Sequence, residues 1–154
     1  MMIRTRPHRH ALCAGLMLAI AAAALPARAL DLVTKEEAAR PQADEPNWRS
    51  ITRGPTVTVE QPTAEKGAAL RSPLQLKVAF KAHGGAKIDL SSVQLTYLKV
   101  PAVDLTQRMR AGIATTGISL AGVSLPPGQH RIQLHVADSE GRETDSVLTL
   151  DVAQ

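Results

Sequence analysis

Leu125-Pro-Pro-Gly-Gln-His-Arg-Ile-Gln-Leu-His-Val-Ala-Asp-Ser-Glu-Gly-Arg142 is the stretch that decides the fold. Pro126, Pro127 and Gly128 stop whatever precedes them. Ile132, Leu134 and Val136 then alternate with Arg131, Gln133 and His135, the period of a strand with one buried face. Asp138 to Gly141 supplies turn residues. A second alternating run follows, with Leu148, Leu150 and Val152 on its inward side. Two strands and a tight turn make a hairpin, and a hairpin points to an antiparallel sheet.

Working outward, the same pattern recurs. Thr56-Val-Thr-Val-Glu60 alternates and ends at Pro62. Pro73 opens a strand in which Leu74, Leu76, Val78 and Phe80 face one way and Gln75, Lys77, Ala79 and Lys81 the other. His83-Gly84-Gly85 reads as a turn. Val93, Leu95 and Tyr97 form the inward face of the next strand, which Pro101 closes. Gly112, Gly117 and Gly122 break up a stretch in which Ile118, Leu120 and Val123 suggest one or two short strands. Residues 102–112 fit two readings. Asp104-Leu-Thr-Gln107 suits one helical turn through Met109, and it equally suits a short edge strand. About seven short strands, frequent turn signals and almost no helix predict an all-β antiparallel sandwich over residues 54–154. Phe80, Leu76, Ile132 and Leu134 are the expected heart of its core.

Residues 30–53 have another texture. Thr34-Lys-Glu-Glu37 fits a capping box, and Pro41 stops the helix it would start. A helix this short is marginal in water. With Asp44, Glu45, Pro46 and Asn47 following, the segment reads as a flexible tether. It carries Trp48, the only tryptophan.

The first 29 residues read as a secretory signal peptide. Arg4, Arg6 and Arg9 precede an apolar run from Ala11 to Leu25, and Ala27-Arg28-Ala29 matches the small-x-small cleavage pattern. The run is short for a membrane span, which needs about 20 residues. The expectation is cleavage after Ala29, export to the bacterial periplasm and no stable membrane span in the mature chain. The formal charge of +4 belongs to this segment, because Lys and Arg balance Asp and Glu from Leu30 onward. A neutral mature domain with one Trp, one Tyr and one Phe has no basic or stacking surface for nucleic acid. The single cysteine, Cys13, departs with the signal, which excludes disulfides and thiol chemistry from the mature chain.

Ile88-Asp-Leu-Ser-Ser-Val-Gln-Leu-Thr-Tyr97, Val103-Asp-Leu-Thr106, Leu125-Pro-Pro-Gly-Gln-His130 and Val136-Ala-Asp-Ser-Glu-Gly-Arg142 occur in that order. In this the chain resembles the bacterial immunoglobulin-like domains of secreted and cell-envelope proteins, over roughly residues 54–153. The antibody hallmarks, a core tryptophan and an inter-sheet cysteine pair, are missing. The resemblance implies a spacer, scaffold or binding module and carries no catalytic motif.

The residues themselves offer no catalytic, cofactor or metal site. His130 and His135 are five apart on one strand and face opposite sides, and His83 sits in a turn. No Gly-x-Ser-x-Gly elbow occurs. Asp138 and Glu140 lack calcium-loop spacing, so Asp138 is read as a turn-stabilising side chain. The expectation is a non-catalytic exported envelope module that binds or scaffolds a protein or glycan partner. The alternatives are a strand-pairing accessory subunit or chaperone of an envelope assembly, and a small periplasmic hydrolase. A sandwich recognises partners through loops, edges and extensions. The candidate contact residues are therefore Trp48 on the tether and Leu105, Arg108, Met109 and Arg110 in the irregular crossing.

Overall fold

A computed structural model describes residues 29–44, 53–63 and 69–153. The expected signal peptide through Arg28 and Trp48 lie outside these residues.

The chain is mostly β, in two sheets consistent with an all-β sandwich. Its described elements are β1 (Leu30–Asp31), α1 (Lys35–Ala38), β2 (Thr56–Gln61), β3 (Leu74–Lys81), β4 (Ile88–Tyr97), β5 (Val103–Asp104), α2 (Thr106–Met109), a 3-10 turn (Arg110–Gly112), β6 (Ile113–Ala114), β7 (Gly117–Ser124), β8 (Gly128–Asp138) and β9 (Glu143–Val152). One sheet runs β1-β7-β3-β2, with β6 also on β7. The other runs β5-β4-β8-β9. The decisive hairpin is β8–β9, paired from Gly128↔Val152 to Ala137↔Glu143.

Alternation sets the core. Leu74, Leu76, Val78 and Phe80 of β3 and Ile118 and Val123 of β7 bury one face of the first sheet. Val93, Leu95 and Tyr97 of β4 and Ile132, Leu134 and Val136 of β8 bury one face of the second. All belong to a single apolar cluster. The expected core residues Phe80, Leu76, Ile132 and Leu134 are all in it. Close packing needs a glycine where β7 starts. Gly117 has φ +143°, and a Cβ there would overlap the Val78 carbonyl of β3.

Residues 30–44 correct the tether expectation. They form a strap that joins both sheets. Leu30 and Asp31 pair in parallel with Val123 and Ser124 of β7. Leu32 and Val33 are buried in the shared core. The capping box forms, with the Glu37 amide donating to Thr34 Oγ1 and the Thr34 amide to Glu37 Oε2. Val33 just before the cap and Ala38 one turn on both turn to the core, in the manner of a hydrophobic staple. Lys99 Nζ donates to the carbonyls of Ala38 and Arg40, satisfying the open end of α1. Ala43 N donates to Leu98 O and Val100 N to Pro41 O, tying the strap's end to the chain just past β4. A four-residue helix that is marginal alone is held by these tertiary contacts.

Residues 102–112 contain both expected forms. Val103 and Asp104 pair with Tyr97 and Thr96 of β4, and a helical turn follows at once.

Candidate partner-binding site

The strongest irregularity lies in β4. Ile88 and Asp89 pair with Asp138 and Ala137 of β8, and pairing resumes only at Gln94↔His135. Four residues of β4 thus stand opposite Val136 alone. The cause is local. Asp89 Oδ1 accepts from the Ser91 amide and hydroxyl, and Ser92 Oγ donates to Asp89 O. Side chains that bond to their own neighbouring backbone compete with a ladder. Ser92 Oγ in turn accepts from the Ala137 amide and so pins the bulge to β8.

On the other flank, β5 covers only Thr96 and Tyr97. The pairing ends where the Leu95 amide donates to Thr106 Oγ1 and the Leu105 amide to Leu95 O. Beyond that point β4 has no strand beside it among the described residues. A cleft of about 650 Å³ lies there, lined by Leu90, Val93 and Ile113 and by the polar Gln94, Gln107 and Arg110, with Ser91, Thr96, Asp104 and Thr106 completing the wall. That volume is in the range of ligand sites. Leu90 is 45% exposed. Arg110 is exposed, and its guanidinium makes no ion pair or hydrogen bond among the described residues. The exposed Asp104 carboxylate is held by the Thr106 hydroxyl and amide, which keep it below the usual carboxylate range.

The sequence candidates divide. Arg110 lines the cleft. Leu105 and Met109 are fully buried in the core, so they are corrected from contact residues to packing residues. Their apolar side chains anchor α2 between the sheets. Arg108 is not among the residues that line the cleft. It grips Glu37 with two nitrogens, each 2.7 Å from a carboxylate oxygen, and donates to Leu32 O. It is a clasp for the strap. Leu90, Val93, Gln94 and Ile113 were missed. A signal existed for them: Ile88 and Leu90 share one phase, while Val93, Leu95 and Tyr97 take the other. A phase slip within one strand marks a bulge.

The histidines are bound structurally. His130 is buried, with Nε2 2.7 Å from Pro126 O and Nδ1 2.8 Å from Tyr97 Oη. A carbonyl only accepts, so Nε2 carries the proton and Nδ1 accepts from the tyrosine hydroxyl. Burial pushes the imidazole below its ordinary pKa, as does the Lys99 charge, against the Pro126 bond and Asp151. The same buried site pushes Tyr97 up to about 12. His135 pairs with Asp145, and His83 Nε2 meets Thr56 Oγ1. Asp138 closes the β8–β9 turn, accepting at Oδ1 from the Glu140 and Arg142 amides and at Oδ2 from Arg142 Nε. Burial alone would raise that carboxyl, and these bonds together lower it. Among the described residues no three His, Cys, Asp or Glu side chains converge as metal ligands. No helix among them is long and apolar enough to cross a membrane.

No family model matches the chain, and no curated protein or solved structure matches it.

Proposed function

We propose that this chain is an exported, non-catalytic module of the bacterial envelope, an immunoglobulin-like sandwich that binds a protein partner through the cleft beside β4. The observation that carries the reading is that cleft, where an exposed leucine and a guanidinium without a partner among the described residues meet a strand flank that no described strand covers. A sandwich recognises partners through its edges and loops, and the cleft lies at such an edge. Support for the immunoglobulin-like assignment is the order of the motifs around Asp89, Asp104, Gly128 and Asp138, together with two sheets around one core. Support for export is the run from Ala11 to Leu25 with Ala27-Arg28-Ala29 after it. A protein is favoured over a glycan because no aromatic ring among the described residues lines the cleft, and Tyr97 and Phe80 are both buried.

The test pairs two measurements. N-terminal sequencing of the exported protein is expected to begin at Leu30, and recovery of an uncleaved, membrane-embedded chain would contradict export. Recovery of a partner from envelope extract is then compared between the mature chain and Leu90→Asp, each shown folded by thermal melt. Loss of that partner with Leu90→Asp is expected. Equal recovery would remove the cleft from the account.

A further inference from the structure

We infer that the occupant of this cleft is an extended peptide segment, added as a strand along the uncovered flank of β4, with a carboxylate side chain directed at Arg110. The inference rests on the partner-binding reading above and gives its partner a chemistry.

Three observations carry it. The first is backbone supply. β4 has ten residues, and β5 pairs with two of them. The Leu95 amide and carbonyl both face the β5 side, where Thr106 Oγ1 and the Leu105 amide take them. Alternation along a strand puts the Val93 amide and carbonyl on that same side. No described residue pairs with Val93 there. Unpaired edge groups are a template for another strand.

The second is shape. Leu90 on the bulge is exposed while Val93 is buried, and both line the cleft together with Ile113. An added strand would lay alternate side chains toward this apolar wall and leave the others in water. Gln94 and Gln107 offer amide donors and acceptors to the rim.

The third is charge. Among the described residues, Arg110 is the one cation lining the cleft. The one carboxylate among the described lining residues, Asp104, stays charged but bonds Thr106 and not Arg110. An incoming carboxylate therefore meets a planar two-pronged donor that no described residue uses. A basic peptide meets Arg110 as a like charge.

The test uses the mature chain and synthetic eight-residue peptides of alternating Val and Thr, with Glu, Gln or Lys at one central position. A fourth peptide repeats the Glu sequence with alternate backbone amides N-methylated. Binding is read by fluorescence anisotropy and by amide chemical shifts. The Glu peptide is expected to bind, to shift the amides of Leu90–Gln94, and to weaken severalfold as salt rises, since a rim charge pair is screened. The Lys peptide is expected to bind about tenfold more weakly or worse, and Arg110→Glu to reverse that order. N-methylation on the edge that faces β4 is expected to abolish binding. Equal binding of the Glu and Lys peptides, an unchanged order with Arg110→Glu, full binding by the N-methylated peptide, or no binding by any peptide would each overturn the inference. If no peptide binds while Leu90→Asp still loses its partner from extract, the strand chemistry fails and the partner-binding reading stands. If Leu90→Asp keeps the partner, the partner-binding reading itself has failed.

Discussion

Glu37 and Arg108, 71 residues apart in sequence, hold one another through two parallel hydrogen bonds of 2.7 Å each. The carboxylate is mostly buried and the guanidinium about a third exposed, with side-chain exposures of 11% and 35%. This pair fixes a strap that sequence alone reads as loose chain. It makes residues 30–44 part of the domain.

Removing one partner is expected to be worse than removing both. Arg108→Ala leaves Glu37 with a buried, unmatched charge and is expected to cost about 2 kcal/mol or more, discounted from a fully buried pair for its partial exposure. Arg108→Lys keeps the charge, loses the fork and is expected to fall between. Glu37→Gln combined with Arg108→Ala is expected to cost less than the sum of the singles. Urea unfolding of the four proteins in a double-mutant cycle checks this, and simple additivity would mean the pair is not coupled.

The same pair sets an acid limit. Hydrogen bonds from Arg108 hold the Glu37 carboxyl at about 2, from an ordinary 4.5. A depressed carboxyl contributes stability that is complete above its unfolded value and is lost as pH falls through its folded one. The stability advantage of the natural chain over Glu37→Gln is therefore expected to be full at pH 6 and to shrink between about pH 4.5 and pH 2. A difference that stays flat across that window would contradict the assignment.

His130 acts in a higher window. Burial lowers its pKa below 6.5, so the folded state holds it neutral where the unfolded chain takes a proton. Its contribution is complete above pH 6.5 and declines as pH falls from there toward the folded value. Imidazole NMR is expected to show the Nε2–H form and a midpoint below 6.5. A midpoint above 6.5 would mean that the Tyr97 and Pro126 contacts favour the cation.

A chain beginning at Gly54 lacks Leu32 and Val33, both buried, and opens the core where β1 meets β7. It is expected to melt far below the mature chain or to lack a cooperative transition, since each lost apolar side chain removes about 1.5–3 kcal/mol of burial. Leu134→Ala, at the centre of β8, is expected to cost about 2–5 kcal/mol. An unchanged melting temperature in either protein would place these side chains outside the core.

Much of this was legible in the residues. β3 could be drawn from Leu74, Leu76, Val78 and Phe80 because a half-buried strand has to alternate. The β8–β9 hairpin follows from Pro126 to Gly128 and from the Asp138 turn in the same way. The strap was not legible. Leu32 and Val33 are only two apolar residues, and two residues carry no period. What holds them is non-local, a partner at Arg108 and a capping amine at Lys99. The cleft was half legible. Arg110 stood out in an irregular crossing, but Leu105 and Met109 beside it looked equally available, because a four-residue helix does not reveal which side faces the core. Leu90 carried no assignment, because only the Asp89–Ser91–Ser92 bonds place it on a bulge.

The central claim is that the flank of β4 beside Arg110 is where this protein meets its partner. The most direct measurement is photo-crosslinking in intact cells, with a benzophenone amino acid placed singly at Leu90, at Gln107 and at Val100, an exposed apolar position outside the cleft lining. The account predicts one discrete adduct from Leu90 and Gln107, absent from Val100 and lost when Arg110→Glu is added. Adducts of equal yield from all three positions, or from Val100 alone, would contradict it.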